Sequence, residues 1–461
     1  MRGTAFAMIA LMATMLVWRG TGANEAFAVL RWGSWSALGA LYLFALPRMG
    51  LREAYLSLLC VAVTLAALFA SPQPARAFAA GLDQAAFLAA FILLLTQLFE
   101  TALTSPAVRA CGAWLARLPG GLRHAGLFWG TNGMAVLFNL GIVTLLSPLV
   151  RAGLPAADDG AGLRDEMERR QLSAVLRGFA WGVIWSPTAI APLALFELID
   201  GIDRLRWTLL GLVLALLIFA LSWAQDALRA RDHPEWDRHA APGRAPLRAW
   251  ARFALCALAL LALALAGQAL TGQGLVFGLM LACPVMMIGW LALQNDGRPR
   301  PALAGARTIV FTRLPTIAAV AVTLAASGYL GRVGAALLPM DQVEALVDAI
   351  GWPQWVWLTV TPCAIMVLSF LAVSPIMFAV FFGSLFGALP QPPVEPTLLA
   401  LSISCGWALA MTASPFATVA LLMARQNELA PARLTVRWNG PFTLASIVLM
   451  AAFFHVLTGG A

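Results

Sequence analysis

GFAWGVIWSPTAIAPL, from Gly178 to Leu193, lies inside a long apolar run yet holds Ser186, Pro187, Thr188 and Pro192, where an unbroken membrane helix wants none. Much later the chain writes GWALAMTASPFATVAL, from Gly406 to Leu421. Laid without a gap, 228 residues separate Ser186 from Ser414, and at that separation Gly, Ala, Ser-Pro, Ala and Leu coincide. The same broken span occurs twice, and the fold has to account for both copies.

Composition fixes the class. Of 461 residues, 61% are hydrophobic and 11% charged, with a mean hydropathy of +0.82. Soluble domains carry about 25% charged residues. Apolar runs of about 20 residues, each enough to cross a bilayer, recur along the whole chain. A barrel would show weaker, alternating segments, so the chain reads as an all-α polytopic membrane protein. It has no lysine, so all 30 basic residues are arginine, which excludes a Schiff-base or P-loop lysine. The net charge of +8 sits in short loops between spans and gives no nucleic-acid signal. Six scattered cysteines without a C-x-x-C pair indicate neither a zinc site nor a disulfide framework.

We read apolar segments at 4–18, 27–46, 54–70, 84–105, 122–150, 171–198, 207–224, 253–270, 275–293, 314–338, 354–386, 397–424 and 440–458. The first could be a signal peptide cleaved near Ala23, but a single arginine and no clear A-x-A site favour an uncleaved helix. Segments 122–150 and 354–386 are too long for one ordinary crossing and are expected to be re-entrant hairpins. With both re-entrant and the N-terminus cytoplasmic, 23 arginines fall inside and 5 outside, a strong positive-inside bias. The expected fold is about 11 transmembrane helices plus two re-entrant hairpins.

Under that topology 27–224 maps onto 253–458 element by element, each half holding three helices, a hairpin, a broken span and a final helix. The loop before the first hairpin carries Arg109, Arg117 and Arg123 and no acid. Its counterpart, 339–353, carries Asp341, Glu344 and Asp348 and no arginine. The halves therefore read as two inverted-topology repeats with broken helices. The expected organisation is an extra N-terminal helix (1–26), a first repeat (27–224; hairpin 122–150, broken helix 171–198), an Arg/Pro-rich cytoplasmic linker (225–252) and a second repeat (253–461; hairpin 354–386, broken helix 397–424).

Paired broken helices and hairpins are how secondary transporters build a mid-membrane site. A break frees backbone N–H groups, which survive in a membrane only where protein or a watery cavity satisfies them. The N-terminus of a half-helix can hold an anion. Ser186 and Ser414, each before proline, suit a cap at that point, with Thr188 and Thr418 adding hydroxyls. Against this, Ser and Thr in helices often bond back to the preceding turn, and proline often makes a plain kink; duplication favours function. In the first hairpin, Thr131-Asn132-Gly133 reads as a tip or unwound turn, and Asn139 as helix-to-helix glue or a gating group. Ser374, before Pro375, is the matching candidate in the second. Glu100 is an intramembrane acid, a functional suspect or an arginine-paired carboxylate near an interface. Arg177 either faces an anionic solute or snorkels. His124, His233 and His239 fall in or near cytoplasmic loops without ligand spacing, and His455 in the last span reads as a packed side chain.

The plan resembles the ion transporter superfamily, which includes divalent-anion/sodium symporters, citrate and arsenite permeases and the large membrane subunits of tripartite periplasmic transporters. GTNGMAVLFNLGIVTLLSPL, from Gly130 to Leu149, is similar to the Asn- and Thr-bearing hairpins of arsenite-type permeases. Where the divalent-anion symporters place Ser-Asn-Thr at their hairpin tips, this chain has Thr131-Asn132-Gly133 once. The resemblance implies a homodimer with a scaffold part and a moving transport part.

The expected function is a secondary active transporter of the bacterial inner membrane, without cofactor, moving a small anion such as a carboxylate with Na+ or H+ as the coupling ion. Thr131, Asn132, Ser186, Thr188, Ser374, Ser414 and Thr418 are the expected binding residues; Asn139, Glu100 and Arg177 are candidates for ion coupling or gating. A membrane enzyme acting on a lipid-linked substrate would want an acid, histidine or arginine cluster beside a large external loop. A channel would more naturally repeat a filter across subunits. The topology makes a direct prediction. In a background with the six native cysteines replaced, single cysteines at Gly201, Ala349 and Gln391 label from outside whole cells and one at Gly160 does not. Opposite sides for Ala349 and Gln391 would make 354–386 a plain crossing.

Overall fold

The computed structural model describes residues 2–71, 73–138, 140–152, 154, 161–230 and 244–459. Asn139, Gly160 and residues 231–243 of the expected linker, with His233 and His239, lie outside the described residues. Among the described residues there is helix and no strand. In chain order the helices are α1 (Arg2–Gly20), α2 (Ala28–Ala45), α3 (Leu51–Ala70), α4 (Pro74–Leu103), α5 (Pro106–Ala116), α6 (Gly120–Phe138), α7 (Gly141–Ala152), α8 (Ala161–Gly182), α9 (Ile190–Leu195) and α10 (Arg204–Ala230). They continue as α11 (Leu247–Thr271), α12 (Leu275–Gln294), α13 (Pro299–Thr308), α14 (Ala318–Ala336), α15 (Met340–Ile350), α16 (Gln354–Leu368), α17 (Pro375–Gly387), α18 (Pro396–Ala413), α19 (Thr418–Asn427) and α20 (Gly440–Leu457).

Among the described residues, ten helical stretches are long and apolar enough to cross a membrane. The chain is an all-α, multi-pass membrane protein. The ten differ in detail from the expected crossings. Helix α2 and the α8–α9 span fall outside them, whereas the stretch Gln354–Leu371, which contains α16, falls within.

The chain forms two compact units, Met1–Pro106 with Ala251–Leu338, and Ala107–Trp250 with Pro339–Ala461. Each takes a piece of both halves of the sequence. The first unit is built around α4, whose residues from Ala85 to Leu95 are all buried. Helices α1, α2, α12 and α14 pack on it. Small residues set the approach of α14: a Cβ on Gly328 would lie 2.7 Å from Leu88 Cδ1, and without lipid–water contrast such close packing is what holds membrane helices together. Two ion pairs clasp this unit. Asp83 accepts from Arg31 Nε and Nη2 at 3.1 and 2.7 Å and from Trp35 Nε1 at 2.9 Å. Glu100 Oε2 accepts from Arg313 Nη1 at 2.8 Å.

The second unit contains both hairpins and both broken spans. Helices α6 and α7 form the first hairpin, and α16 and α17 the second. Each first arm packs on the first half of the broken span in its own half, α6 on α8 and α16 on α18. The second arms are exchanged, α7 lying against α19 and α17 against α9. The shared glycine of the repeat explains the first contacts. A Cβ on Gly178 would fall on the carbonyl of Phe128, and one on Gly406 would lie 2.9 Å from Pro362 Cα. Only a residue without a side chain lets α8 and α18 come this near.

One expectation is corrected and one asymmetry is added. Thr131-Asn132-Gly133 is not a hairpin tip; it lies within α6, which runs on to Phe138, and α7 begins at Gly141. The positive-φ preference of Asn-Gly is weak beside the packing of α6 on α8, which keeps this stretch helical. The first broken span also has a shorter second half than the second: α9 has six residues against ten in α19.

The glycine contacts are testable by thermal unfolding of the detergent-solubilised protein. Gly178→Ala overpacks the α6–α8 contact and is expected to cost about 1–3 kcal/mol. Gly133→Ala meets nothing within 4 Å and, in a helix interior, is expected to add about 0.5–1 kcal/mol of stability. Equal effects at both positions would refute the close-approach role of Gly178.

Candidate functional site

The two breaks are built from the same local motif. After α8 ends at Gly182, Ser186 Oγ accepts a hydrogen bond from Thr188 N at 3.4 Å. After α18 ends at Ala413, Ser414 Oγ accepts from Phe416 N at 3.3 Å. In each case the serine side chain takes up the N–H two residues on, the one beyond the proline, which has no N–H of its own. The half-helices begin later than the serines. Their N-caps are Ala189 and Ala417, neither with a side-chain cap bond, so the serines close the turn and do not cap the helix.

A hydroxyl from each break reaches its own hairpin. Thr188 Oγ1 donates to Val136 O at 2.5 Å, near the end of α6. Ser414 Oγ donates to Ser369 O at 2.9 Å, just past α16. There the chain turns through Ala372, at φ +60°, and re-enters helix at Pro375 with Ser374 as N-cap and no side-chain cap bond. Ser374 is buried and Thr418 half-buried at the start of α19.

The first break differs in what surrounds it. Asn132, fully buried on α6, faces Gly182: a Cβ there would lie 3.3 Å from Asn132 Cγ. Trp185 Nε1, within the break, donates to Asn132 Oδ1 at 2.9 Å. An indole N–H can only donate, so the atom it meets is the amide oxygen and the free end of Asn132 is its NH2. That Nδ2 is buried without a hydrogen-bond partner, as are Thr131 Oγ1 beside it and Trp181 Nε1 on α8. Buried polar atoms are nearly always paired, and those that are not call for an explanation.

A second polar group lies deeper in the same unit, on α6, α8, α10 and the π-helical stretch Arg433–Asn439 that leads into α20. Arg177, 2% exposed, donates from Nε to Asn439 Oδ1 at 2.8 Å and from Nη1 to Ser222 Oγ at 3.1 Å, and lies 4.1 Å over the Phe442 ring. His124 Nε2 shares Ser222 Oγ at 2.9 Å, and its Nδ1 lies 3.5 Å from Asp226 Oδ1. Asp226 accepts from Arg170 Nε and Nη2 at 2.7 and 2.6 Å. Arg177 therefore does not snorkel. Its partners are neutral, and the nearest carboxylate in the chain of bonds is committed to Arg170.

The structure thus ties Asn132 and Thr188 into the first break, which holds Ser186; Ser414 lies in the second break and Thr418 opens α19, while Thr131 neighbours Asn132 on α6 and Ser374 precedes α17. Glu100 belongs to the first compact unit, where Arg313 neutralises it. His124, expected in or near a cytoplasmic loop, is instead buried on α6, and Asp226, Ser222 and Asn439 carry no motif that marks them in the sequence. Asp226 was assigned to a loop because α10 runs to Ala230, beyond its apolar core. A cavity of about 680 Å³ in the first unit, lined by residues such as Leu38, Val61 and Phe78, is apolar except for the hydroxyl pairs Tyr42–Ser57 and Thr64–Tyr329. Among the described residues no group of three His, Cys, Asp or Glu is placed to hold a metal ion.

No protein-family model matches the chain, and no curated protein matches it. A solved structure does. The crystal structure of the YdaH transporter of Alcanivorax borkumensis, noted for an unusual topology, aligns with a TM-score of 0.54 over 88% of this chain and 98% of that one. The chain shares the fold of a transporter. At 13% identity the likeness is one of fold alone.

The buried charges give a stability prediction. Asp226→Asn removes the carboxylate that Arg170 grips and that lies beside His124 and is expected to cost about 3–5 kcal/mol, whereas the double variant Arg170→Met, Asp226→Leu, which removes both members of the pair, costs far less. Thermal unfolding of the two variants against the unaltered protein distinguishes these outcomes; equal losses would show that the pair is held by packing and not by charge.

Proposed function

We propose that the protein is a secondary active transporter of a bacterial inner membrane that moves a small anion, with protons or sodium as the coupling ion, through the unit holding the two hairpins. The observation that carries this reading is the set of unspent valences beside the first break. Asn132 Nδ2 and Trp181 Nε1 are donors only, and Thr131 Oγ1 can donate. Buried donors without acceptors suit an anion, such as a carboxylate, and offer little to a cation. Ser186 and Thr188 lie in the same break, and we assign Ser374, Ser414 and Thr418 to its counterpart in the other half. The exchanged packing of the hairpin arms fits the two-fold plan of inverted-repeat transporters. On this reading the chain belongs with the ion transporter superfamily and works as a homodimer, and it has no catalytic chemistry.

With α9 only six residues long, its dipole contributes little, and side-chain donors take most of the anion's charge. Arg177 supplies a buried positive potential in the same unit without touching the break.

The test is uptake into proteoliposomes of a panel of labelled monocarboxylates, dicarboxylates and inorganic anions under imposed proton and sodium gradients. Asn132→Ala is expected to lower uptake about tenfold to a hundredfold, the worth of one hydrogen bond to a charged group. Asn132→Asp, which sets a negative charge against the solute, is expected to abolish it. Faster uptake of a cation by Asn132→Asp would overturn the anion reading.

A further inference from the structure

A second polar cavity of about 190 Å³ opens in the hairpin-bearing unit, between the start of α8 and the π-helical Arg433–Asn439 stretch. Its walls are Asp165, Glu166, Arg169, Arg433, Arg437 and Trp438, with Gly162 at the edge. Three guanidiniums face two carboxylates. Each carboxylate is engaged at one point: Arg433 Nη2 to Asp165 Oδ2 at 2.9 Å and Arg169 Nη1 to Glu166 Oε2 at 3.3 Å. That leaves Arg169 Nε and Arg433 Nε buried without acceptors, and Arg437 exposed with no partner among the described residues. Arg433 also lies 5.2 Å over the Trp438 ring, which fixes its fork.

We propose that this cavity binds the phosphate of an anionic phospholipid. A phosphate carries several acceptor oxygens in the geometry a guanidinium fork matches, enough to satisfy both stranded Nε groups and Arg437 together. What selects a lipid over free phosphate is the surface below the cavity. Arg437, Pro441, Leu444, Val448, Ala452 and His455 are all exposed and recur at spacings of three and four residues. They form one stripe down the last helix, headed by the free arginine and apolar for about three turns. An acyl chain can lie along that stripe while its head group enters the cavity. The positive-inside bias of the sequence places the loops 151–170 and 425–439 at the cytoplasmic face, where anionic head groups are attracted to clustered arginine.

Native mass spectrometry of the detergent-purified full chain tests this, with phosphatidylglycerol, phosphatidylcholine and inorganic phosphate as probes. Phosphatidylglycerol is expected to be retained in preference to phosphatidylcholine. Arg437→Gln, which breaks no bond in the fold, is expected to lower that retention about fivefold. Arg425→Gln, an exposed arginine on α19 away from the cavity, is expected to leave it unchanged and so controls for general charge. Arg433→Gln is the second variant, with melting temperature recorded to separate lost binding from lost fold. Equal retention of the two lipids, equal loss in Arg425→Gln, or unchanged retention in a folded Arg437→Gln protein would each overturn the proposal. Displacement of phosphatidylglycerol by excess inorganic phosphate would overturn the lipid as the source of the phosphate.

Discussion

A helix interrupted among apolar side chains must have its freed backbone groups bonded from within the protein, because lipid supplies no partner. The rest of the hairpin-bearing unit follows from how that requirement is met. At both breaks a serine placed just before proline takes up the N–H two residues on, and a hydroxyl from the break is delivered to a carbonyl near the end of the neighbouring hairpin arm. That second bond only exists if the first arm lies close against the first half-helix. The close approach in turn needs Gly178 and Gly406. The residues that coincide at a separation of 228 are therefore the ones this arrangement needs: a glycine for the approach, a serine and a proline for the break, and an alanine at the N-cap of the next half-helix.

Charge is handled with equal economy. Few ionisable groups are buried, and His124, Arg177 and Asp226 of the second unit join one connected set from Arg170 through Asp226, His124 and Ser222 to Arg177 and Asn439. The one carboxylate of this set is gripped by Arg170, and Arg177 bonds only neutral groups. A buried cation without a counter-charge is costly unless its donors are met and its face is covered. Asn439 and Ser222 meet the donors of Arg177, and the Phe442 ring covers its face. The π-helical register of Arg433–Asn439 supports this arrangement, since Asn439 Nδ2 also bonds Leu434 O, five residues back. The unit keeps a net positive interior, which is the field an anion would meet.

How much of this was legible in the sequence depended on the range of the interaction. Composition and run length are local quantities, and they fixed the all-α membrane class. The broken spans were legible because Ser-Pro acts within a few residues, and the division of the two longest apolar runs into the helix pairs α6–α7 and α16–α17 because each run was too long for a single helix. Pairings across the chain were not legible. His124 meets Ser222 at a separation of 98 residues and Arg177 meets Asn439 at 262, and no periodicity within either helix announces its partner. Thr131-Asn132-Gly133 misled for the opposite reason: a local turn preference of a few tenths of a kcal/mol was outweighed by helix packing. The compact units, each drawing on both halves, were equally invisible, since the sequence shows where a repeat begins but not which helices will pack together.

The two copies of the break are alike in motif but unequal in what they leave unsatisfied. At the second, Ser414 bonds both forward to Phe416 N and across to Ser369 O, and a ten-residue half-helix follows. At the first, the break is longer, the half-helix after it has six residues, and Gly182 stands where the other copy has Ala410. Glycine at that place weakens the helix end and makes room for Asn132, whose amide group then lies buried with its donors unspent. A purely structural break has no use for such donors, and the second copy carries none at the equivalent places, Val360 and Leu409. Leaving those of Asn132 open costs stability at a buried position, and an anion that accepts from them recovers it. The asymmetry between two otherwise matched motifs is thus the reason the proposed anion site is assigned to the first break and not to the second.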